Sequence, residues 1–252
     1  MSLRPIADRI ATFLDLVALD QALGFEVPRP PGATAPDVGP PPPAETGAAA
    51  EASAVDVLVD ANILFAAPMR NLLIACTLAG LVRPRWSDII QEEWTRARRR
   101  QEPRLKEERL ALLRALVDHT VPEARVDGFE GRIGDLRLRD RNDRHVLAAA
   151  IEAGCPVIAT RNRKDFRPRD LAPFGVHAAD PDEVLGPAAA ERPDLLAWAA
   201  GLHRAALGGV PMARYVLTLR RERLHRVVKV LKTALPTPWG RTRAGEPPRP
   251  AP

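Results

Sequence analysis

Aromatic residues are scarce in this chain: Phe, Trp and Tyr make up 4% of its 252 residues, with a single tyrosine. That argues against a surface built on base-stacking platforms. It also leaves Leu, Val, Ile and Ala to fill the core within an apolar content of 46%. Only two cysteines occur, Cys76 and Cys155, and neither has Cys or His neighbours at metal-ligand spacing. Both lie in apolar stretches and read as small buried residues of a reduced compartment, which excludes a thiolate metal site. Long hydrophobic runs are absent as well. No uninterrupted apolar stretch reaches about 18 residues, so a membrane span is not expected. Arg4, Asp8, Arg9 and Asp15 interrupt the first apolar residues, so a signal peptide is not expected either. The expectation is a cytoplasmic protein.

Proline and positive charge are plentiful. The 26 prolines are too many for one compact domain, and they cluster. A net charge of +5 suits a polyanionic partner, although it equally suits an arginine-rich soluble protein with no such partner. Residues 1–26 carry Ile6, Ile10, Phe13 or Leu14, and Val17 at helical spacing, predicting an amphipathic helical extension. Eight prolines between Val27 and Ala44 then exclude helix and sheet, so 27–54 reads as an extended Pro/Ala-rich linker.

A compact domain is expected over 55–186. VDVLVD (55–60) reads as a buried strand, as do PVIAT (156–160) and GVHAA (175–179), with ARV (124–126) a weaker candidate. MRNLLIACTLAG (69–80), WSDIIQEEWTRARRR (86–100), RLKEERLALLRALVDH (104–119) and DRHVLAAAIEAG (143–154) have helical periodicity. Ser87 is a plausible cap for the second of these, Asn142 or Asp143 for the last. Strands alternating with helices argue for an α/β class with a mainly parallel sheet. From 187 to 235 the pattern is helical only. Its last helix, read over 211–235, sets Arg214, Arg220, Arg221, Arg223, Arg226, Lys229 and Lys232 against one acid, Glu222. The proline-rich tail 236–252 is expected to be disordered.

Carboxylates mark the strand ends. Asp60 follows VDVLV, and Asp165 follows PVIAT within RNRKDF. Asp143 stands at the start of the helix feeding that strand, and Glu93 lies about two turns into its own helix. In an open parallel sheet, ligands bind beyond the carboxyl ends of strands. Each acid also has an ordinary explanation as a cap, a turn residue or a solvated glutamate. Four carboxylates at one rim raise each other's pKa values unless a cation offsets them. Oxygen donors without Cys or suitably spaced His favour Mg²⁺ or Mn²⁺ over zinc. His145 follows Asp143 by two residues, about 200° round a helix, and reads as structural.

The ordered segments VLVDANILFAA (57–67), RPRWSDIIQEEWTRAR (83–98), RDRNDRHVLAAAIEAGCPVIATRNRKDF (139–166) and LAPFGVHAADPDEVL (171–185) resemble the PIN-domain ribonucleases, most closely the VapC-like toxins of toxin–antitoxin pairs. The resemblance implies a three-layer α/β/α PIN-like domain followed by C-terminal helices. It also implies a catalytic and metal-binding set of Asp60, Glu93, Asp143 and Asp165, with Asp140 as a second candidate for the third position. Thr160 and Asn162 fall in a supporting role. Many relatives have Asp two residues after the strand-end Thr, where this chain has Asn162; Asp165 is the candidate to supply the missing charge.

Hydrolysis of RNA phosphodiesters is the chemistry so implied, with one divalent ion, or two about 4 Å apart, lowering the pKa of a bound water. Arg96, Arg98, Arg99, Arg161, Arg163 and Lys164 are candidates to meet the RNA, each against the alternative of a solvated basic face. A cognate antitoxin protein and a homodimer are the partners the resemblance implies. The N-terminal helix and linker lie outside that pattern, either as a tethered segment that docks on the domain or as an extension with no role. A haloacid-dehalogenase-like phosphatase is set aside because Ala61 and Asn62 follow Asp60 without a second acid two residues on. A catalytically inactive PIN-like module that binds RNA or protein remains the main alternative.

Overall fold

The computed structural model describes residues 5–28, 42 and 54–235. The linker and tail expectations fall almost entirely outside these residues. Four short strands form one sheet: β1 (Val55–Val59), β2 (Val82–Arg85), β3 (Val157–Ala159) and β4 (His177–Ala179). Their order is β2-β1-β3-β4, and every neighbouring pair is parallel. Val57 lies opposite Val157, and Val157 opposite His177. The central strands are apolar because both faces are covered: Val57, Leu58, Val59 and Ile158 are fully buried. This is the α/β class that the alternation of strands and helices predicts, with helices flanking a parallel sheet.

Helices α2 (Ala61–Phe65) and α3 (Ala67–Leu78) follow β1. α4 (Asp88–Gln101) follows β2 and is capped by Ser87, whose Oγ accepts from the Ile90 amide at 3.3 Å. α5 (Glu107–Thr120) and α6 (Arg144–Glu152) lead to β3. The short α7 (Pro168–Leu171) leads to β4. Two strand expectations change. β2 contains Pro84, which lacks an amide donor and hides the strand from pattern reading; it fits because β2 is an edge strand. The 124–126 stretch is not a strand but one isolated bridge, Arg125 opposite Trp86.

The N-terminal helix, running Ile6–Ala22 and designated α1, docks on the domain. Phe13, Leu16 and Val17 are fully buried, and α1 contacts α5, α3 and a later helix. Its fastening is ionic as well as apolar. Asp20 and Arg70 are both 0% exposed, and one guanidinium nitrogen lies 2.6 Å from each carboxylate oxygen. Asn71 also donates to Asp20 at 2.9 Å. Of the two readings left open for this segment, the docked one is the structure's.

The C-terminal part comprises α8 (Pro181–Glu191), α9 (Pro193–Ala206), α10 (Met212–Arg221) and α11 (His225–Ala234). The single helix expected over 211–235 is broken. Tyr215, Val216 and Leu219 form one buried stripe and Leu224, Val227, Val228 and Leu231 another. The five-residue gap between Leu219 and Leu224 puts the stripes out of helical phase. A turn at Glu222–Leu224, with Arg223 left-handed at φ 60°, lets both face the core. No described helix is long and apolar enough to cross a membrane.

Candidate functional site

Because all four strands are parallel, their carboxyl ends share one rim, and the chain leaves β1 at Asp60 and β3 at Thr160. The ladder extends one residue past each strand: the Asp60 amide donates to Ala159 O at 3.1 Å, and the Thr160 amide to Ala179 O at 2.9 Å. That brings two polar side chains together. Thr160 Oγ1 donates to Asp60 Oδ2 at 2.6 Å, and Asn62 Nδ2 also donates to that oxygen. Asn62 Oδ1 in turn accepts the Arg161 amide at 3.2 Å, fastening the two strand exits to each other. Burial raises the Asp60 pKa above the usual carboxylate value, the Thr160 hydrogen bond opposes this, and nearby Glu93 adds to it.

Asp143 joins them from the start of α6, where its side chain makes no capping bond to the helix. Its Oδ2 is buried without a hydrogen-bond partner. The Asp143 carboxyl is pushed up to about 7, first by burial and then by the negative charges of Asp60, Asp140, Asp165 and Glu93. Carboxylate oxygens of Asp140, Asp143 and Asp165 lie within 4.8 Å of one another. Asn162 Nδ2 donates to Asp165 Oδ2 at 2.6 Å, while the Asn162 amide donates to Thr160 Oγ1 at 3.0 Å. Asn162 is thus hydrogen-bonded to the acid three residues on.

Glu93 lines an open cleft of about 740 Å³, together with Asp60, Asn62, Phe65, Trp94, Asp143 and Asn162. His145 lines the same cleft, its Nε2 3.0 Å from Glu93 Oε1. Sequence reasoning left His145 outside the site. The helical-wheel argument fails because Asp143 is the N-cap, at φ −83° and ψ 0°, and not a residue of the helix. No sequence signal pairs His145 with Glu93, since 52 residues separate them. Asn62, in the DAN segment, was likewise missed; its place two residues after the strand-end acid was the available signal.

The cations divide into three groups. Arg98 is corrected outright: it is 7% exposed, with its guanidinium 4.1 Å from the Phe25 ring centroid and 4.0 Å from that of Phe65. It also donates to Phe65 O. Four residues after the buried Trp94, it falls on the inner face of α4. Arg161 is half-buried, with its Nη2 held by Glu222 O at 3.0 Å and Glu222 Oε2 at 2.8 Å. Arg99 and Arg163 stay exposed but are paired, with Glu107 at 2.5 Å and Glu183 at 3.0 Å. Arg96 lines the cleft, 3.7 Å from Glu92, and Lys164 is exposed.

A divalent cation fits this rim by the chemistry of its donors. Five carboxylates converge with an unpartnered buried oxygen on Asp143, and that oxygen and the mutual repulsion are what a hard cation relieves. His145 is engaged with Glu93, and both cysteines are buried among apolar residues, so no soft donor competes. No curated protein and no solved structure matches the chain. Residues 56–164 match the family model described as PIN domain, a nuclease-type fold. That span takes in β2, β3, nearly all of β1 and four of the five rim carboxylates, Asp60, Glu93, Asp140 and Asp143.

Proposed function

We propose that this protein is a metal-dependent endoribonuclease, acting as the toxin of a type II toxin–antitoxin pair and neutralised by a small cognate antitoxin. The observation that carries the nuclease reading is Asp143, a half-buried carboxyl repelled by four others and left with an unpartnered oxygen. Such an arrangement is costly unless a cation binds there. Asp60, Glu93, Asp143 and Asp165 are the residues to hold Mg²⁺ or Mn²⁺, with Asp140 beside them. When bound, the ion supplies a water of lowered pKa as nucleophile and offsets charge on the phosphate. Thr160 and Asn62 orient Asp60, Asn162 orients Asp165, and His145 holds Glu93 toward the cleft. These second contacts fix the angles at which the carboxylates present their oxygens.

The toxin assignment is supported by the ordered resemblance of the DAN, EEW, DRHVLAAAIEAG and TRNRKDF segments. A homodimer goes with that assignment and is checked by light scattering of the purified chain. The central test is incubation of the protein with total RNA in Mg²⁺, in Mn²⁺ and in chelator, beside Asp60→Asn and Asp143→Asn. Cleavage is expected with metal and lost in both variants; cleavage that persists in both, or in chelator, sinks the mechanism. RNA binding without cleavage by the intact protein would instead favour an inactive binding module. Expression in a bacterial host is expected to stop growth, and co-expression of the protein from a short neighbouring reading frame to restore it.

A further inference from the structure

The last turn of α10 and the turn to α11 together carry three arginines, Arg220, Arg221 and Arg223, all exposed. Among the described residues none of their guanidinium groups makes an ion pair. Several other exposed arginines, among them Arg99, Arg125, Arg132 and Arg163, each sit against a carboxylate. The one acid in the turn, Glu222, is taken by Arg161. Its neutralisation leaves the turn with uncompensated positive charge.

Two fastenings place this turn at the acidic rim. Arg161, the residue after Thr160, grips Glu222 through both its main-chain oxygen and its carboxylate. Asp182, in the first turn of α8 just beyond β4, accepts the Arg226 amide at 2.9 and 2.8 Å and the Val227 amide at 3.1 Å. The turn is thus tied to the chain where it leaves β3 and where it leaves β4, on the edge that carries Asp60 and Asp165.

The backbone at Arg223 gives a second, independent observation. Every other described residue of positive φ is a glycine, at positions 24, 80, 128, 154, 175, 208 and 209. Glycine adopts that conformation without steric cost, whereas a side chain there is strained. Among the described residues, Arg223 is the one that carries a side chain where glycine would relieve strain.

The geometry points to the 220–223 turn as a phosphate-contacting site that holds the nucleic-acid backbone alongside the acidic centre. An acidic metal site repels a polyanion, and fixed guanidinium groups at its edge offset that repulsion and set the strand's path. This inference rests on the nuclease reading for its substrate, but its test does not depend on catalysis. The binding of a fluorescein-labelled RNA hairpin of about 20 nucleotides is followed by anisotropy in chelator across a KCl series. The variants are Arg223→Gly and the triple Arg220→Ala/Arg221→Ala/Arg223→Gly.

Each phosphate contact contributes about 0.7 to 0.9 to the slope of log affinity against log salt, so the triple variant is expected to lose about 2 to 3 from it. Its affinity at about 0.1 M KCl is expected to fall roughly tenfold or more. Arg223→Gly alone should lower the slope by about 1 while melting at or above the parent temperature, which separates a binding role from a folding role. Hydrolysis of bis(4-nitrophenyl) phosphate with Mn²⁺ should be unchanged in both variants. Unchanged RNA affinity and slope overturn the inference, including the case in which only binding to phosphatidylserine vesicles falls. If the parent hydrolyses nothing yet the variants lose RNA, the nuclease reading fails and the phosphate site stands.

Discussion

At the scale of single residues, the behaviour of the rim turns on Asp143. Its carboxyl titrates near 7 in the folded protein against an ordinary value of 3.8, so the folded state binds the proton more tightly than the unfolded chain does. Stability from this group is therefore fully present below the unfolded value and is lost as pH rises through the folded one. Without metal, the melting temperature is expected to fall between about pH 4 and pH 7, and to fall less in Asp143→Asn. Adding Mg²⁺ should remove most of the difference, because the cation replaces the proton; calorimetry with equal slopes for parent and variant would contradict this. Local patterning sets Asp60 and Asp143 at element boundaries and Asp165 in the loop after β3, whereas Glu93, inside α4, is singled out by the resemblance. His145 was not legible in the sequence, since its partner Glu93 lies 52 residues away and meets it only in the folded chain.

Between elements, close approach and buried charge set the energetics. α8 and α11 touch at Gly186, where an added Cβ would lie 2.7 Å from Arg226 Cβ. Helix propensity favours Ala over Gly by up to about 1 kcal/mol, but overpacking costs typically 1–3 kcal/mol. Gly186→Ala should therefore destabilise the protein by about 1–2 kcal/mol in urea unfolding; a gain in stability would show that the helices can part freely. The Asp20–Arg70 pair presents the opposite hazard. Removing one member of a buried pair strands the other charge, and Asp20→Ala is expected to cost about 3–5 kcal/mol by the same measurement. A loss within experimental error would mean that Arg70 finds another partner or water. Helical periodicity announced α3 to α6 and the apolar stripe of α1. It did not announce β2, masked by Pro84, or the break at Arg223, where phase between two stripes decides.

For the molecule as a whole, the N-terminal segment braces residues that line the site. Asp20 fixes Arg70, which donates to Leu64 O at 2.6 Å and lies 5.0 Å from the Trp94 ring centroid. Phe25 covers Arg98, which holds Phe65 O. Phe65 and Trp94 line the cleft beside Glu93. Deleting residues 1–28 would uncover two cations and the apolar surface over α3 and α5. The expected outcome is a protein that melts well below the parent or fails to fold, not a shorter active one; unchanged melting and unchanged RNA cleavage would show the helix to be dispensable.

By itself the sequence determined the α/β class, the parallel sheet and the order of the acids, because strand and helix periods and capping residues are local. It could also show that α1 is amphipathic and that positive charge gathers near the C-terminus. Tertiary structure alone decided that α1 is docked, that Arg98 is buried, that Arg161 pairs with Glu222, and that the 220–223 segment stands at the acidic rim. Those outcomes depend on which side chains from distant segments compete for the same partner. Asp20 and Phe25 claim Arg70 and Arg98, and Glu222 claims Arg161, at separations of 50 residues or more. A local pattern carries no record of such competition, because each partner's burial is settled only when the whole chain closes on its core.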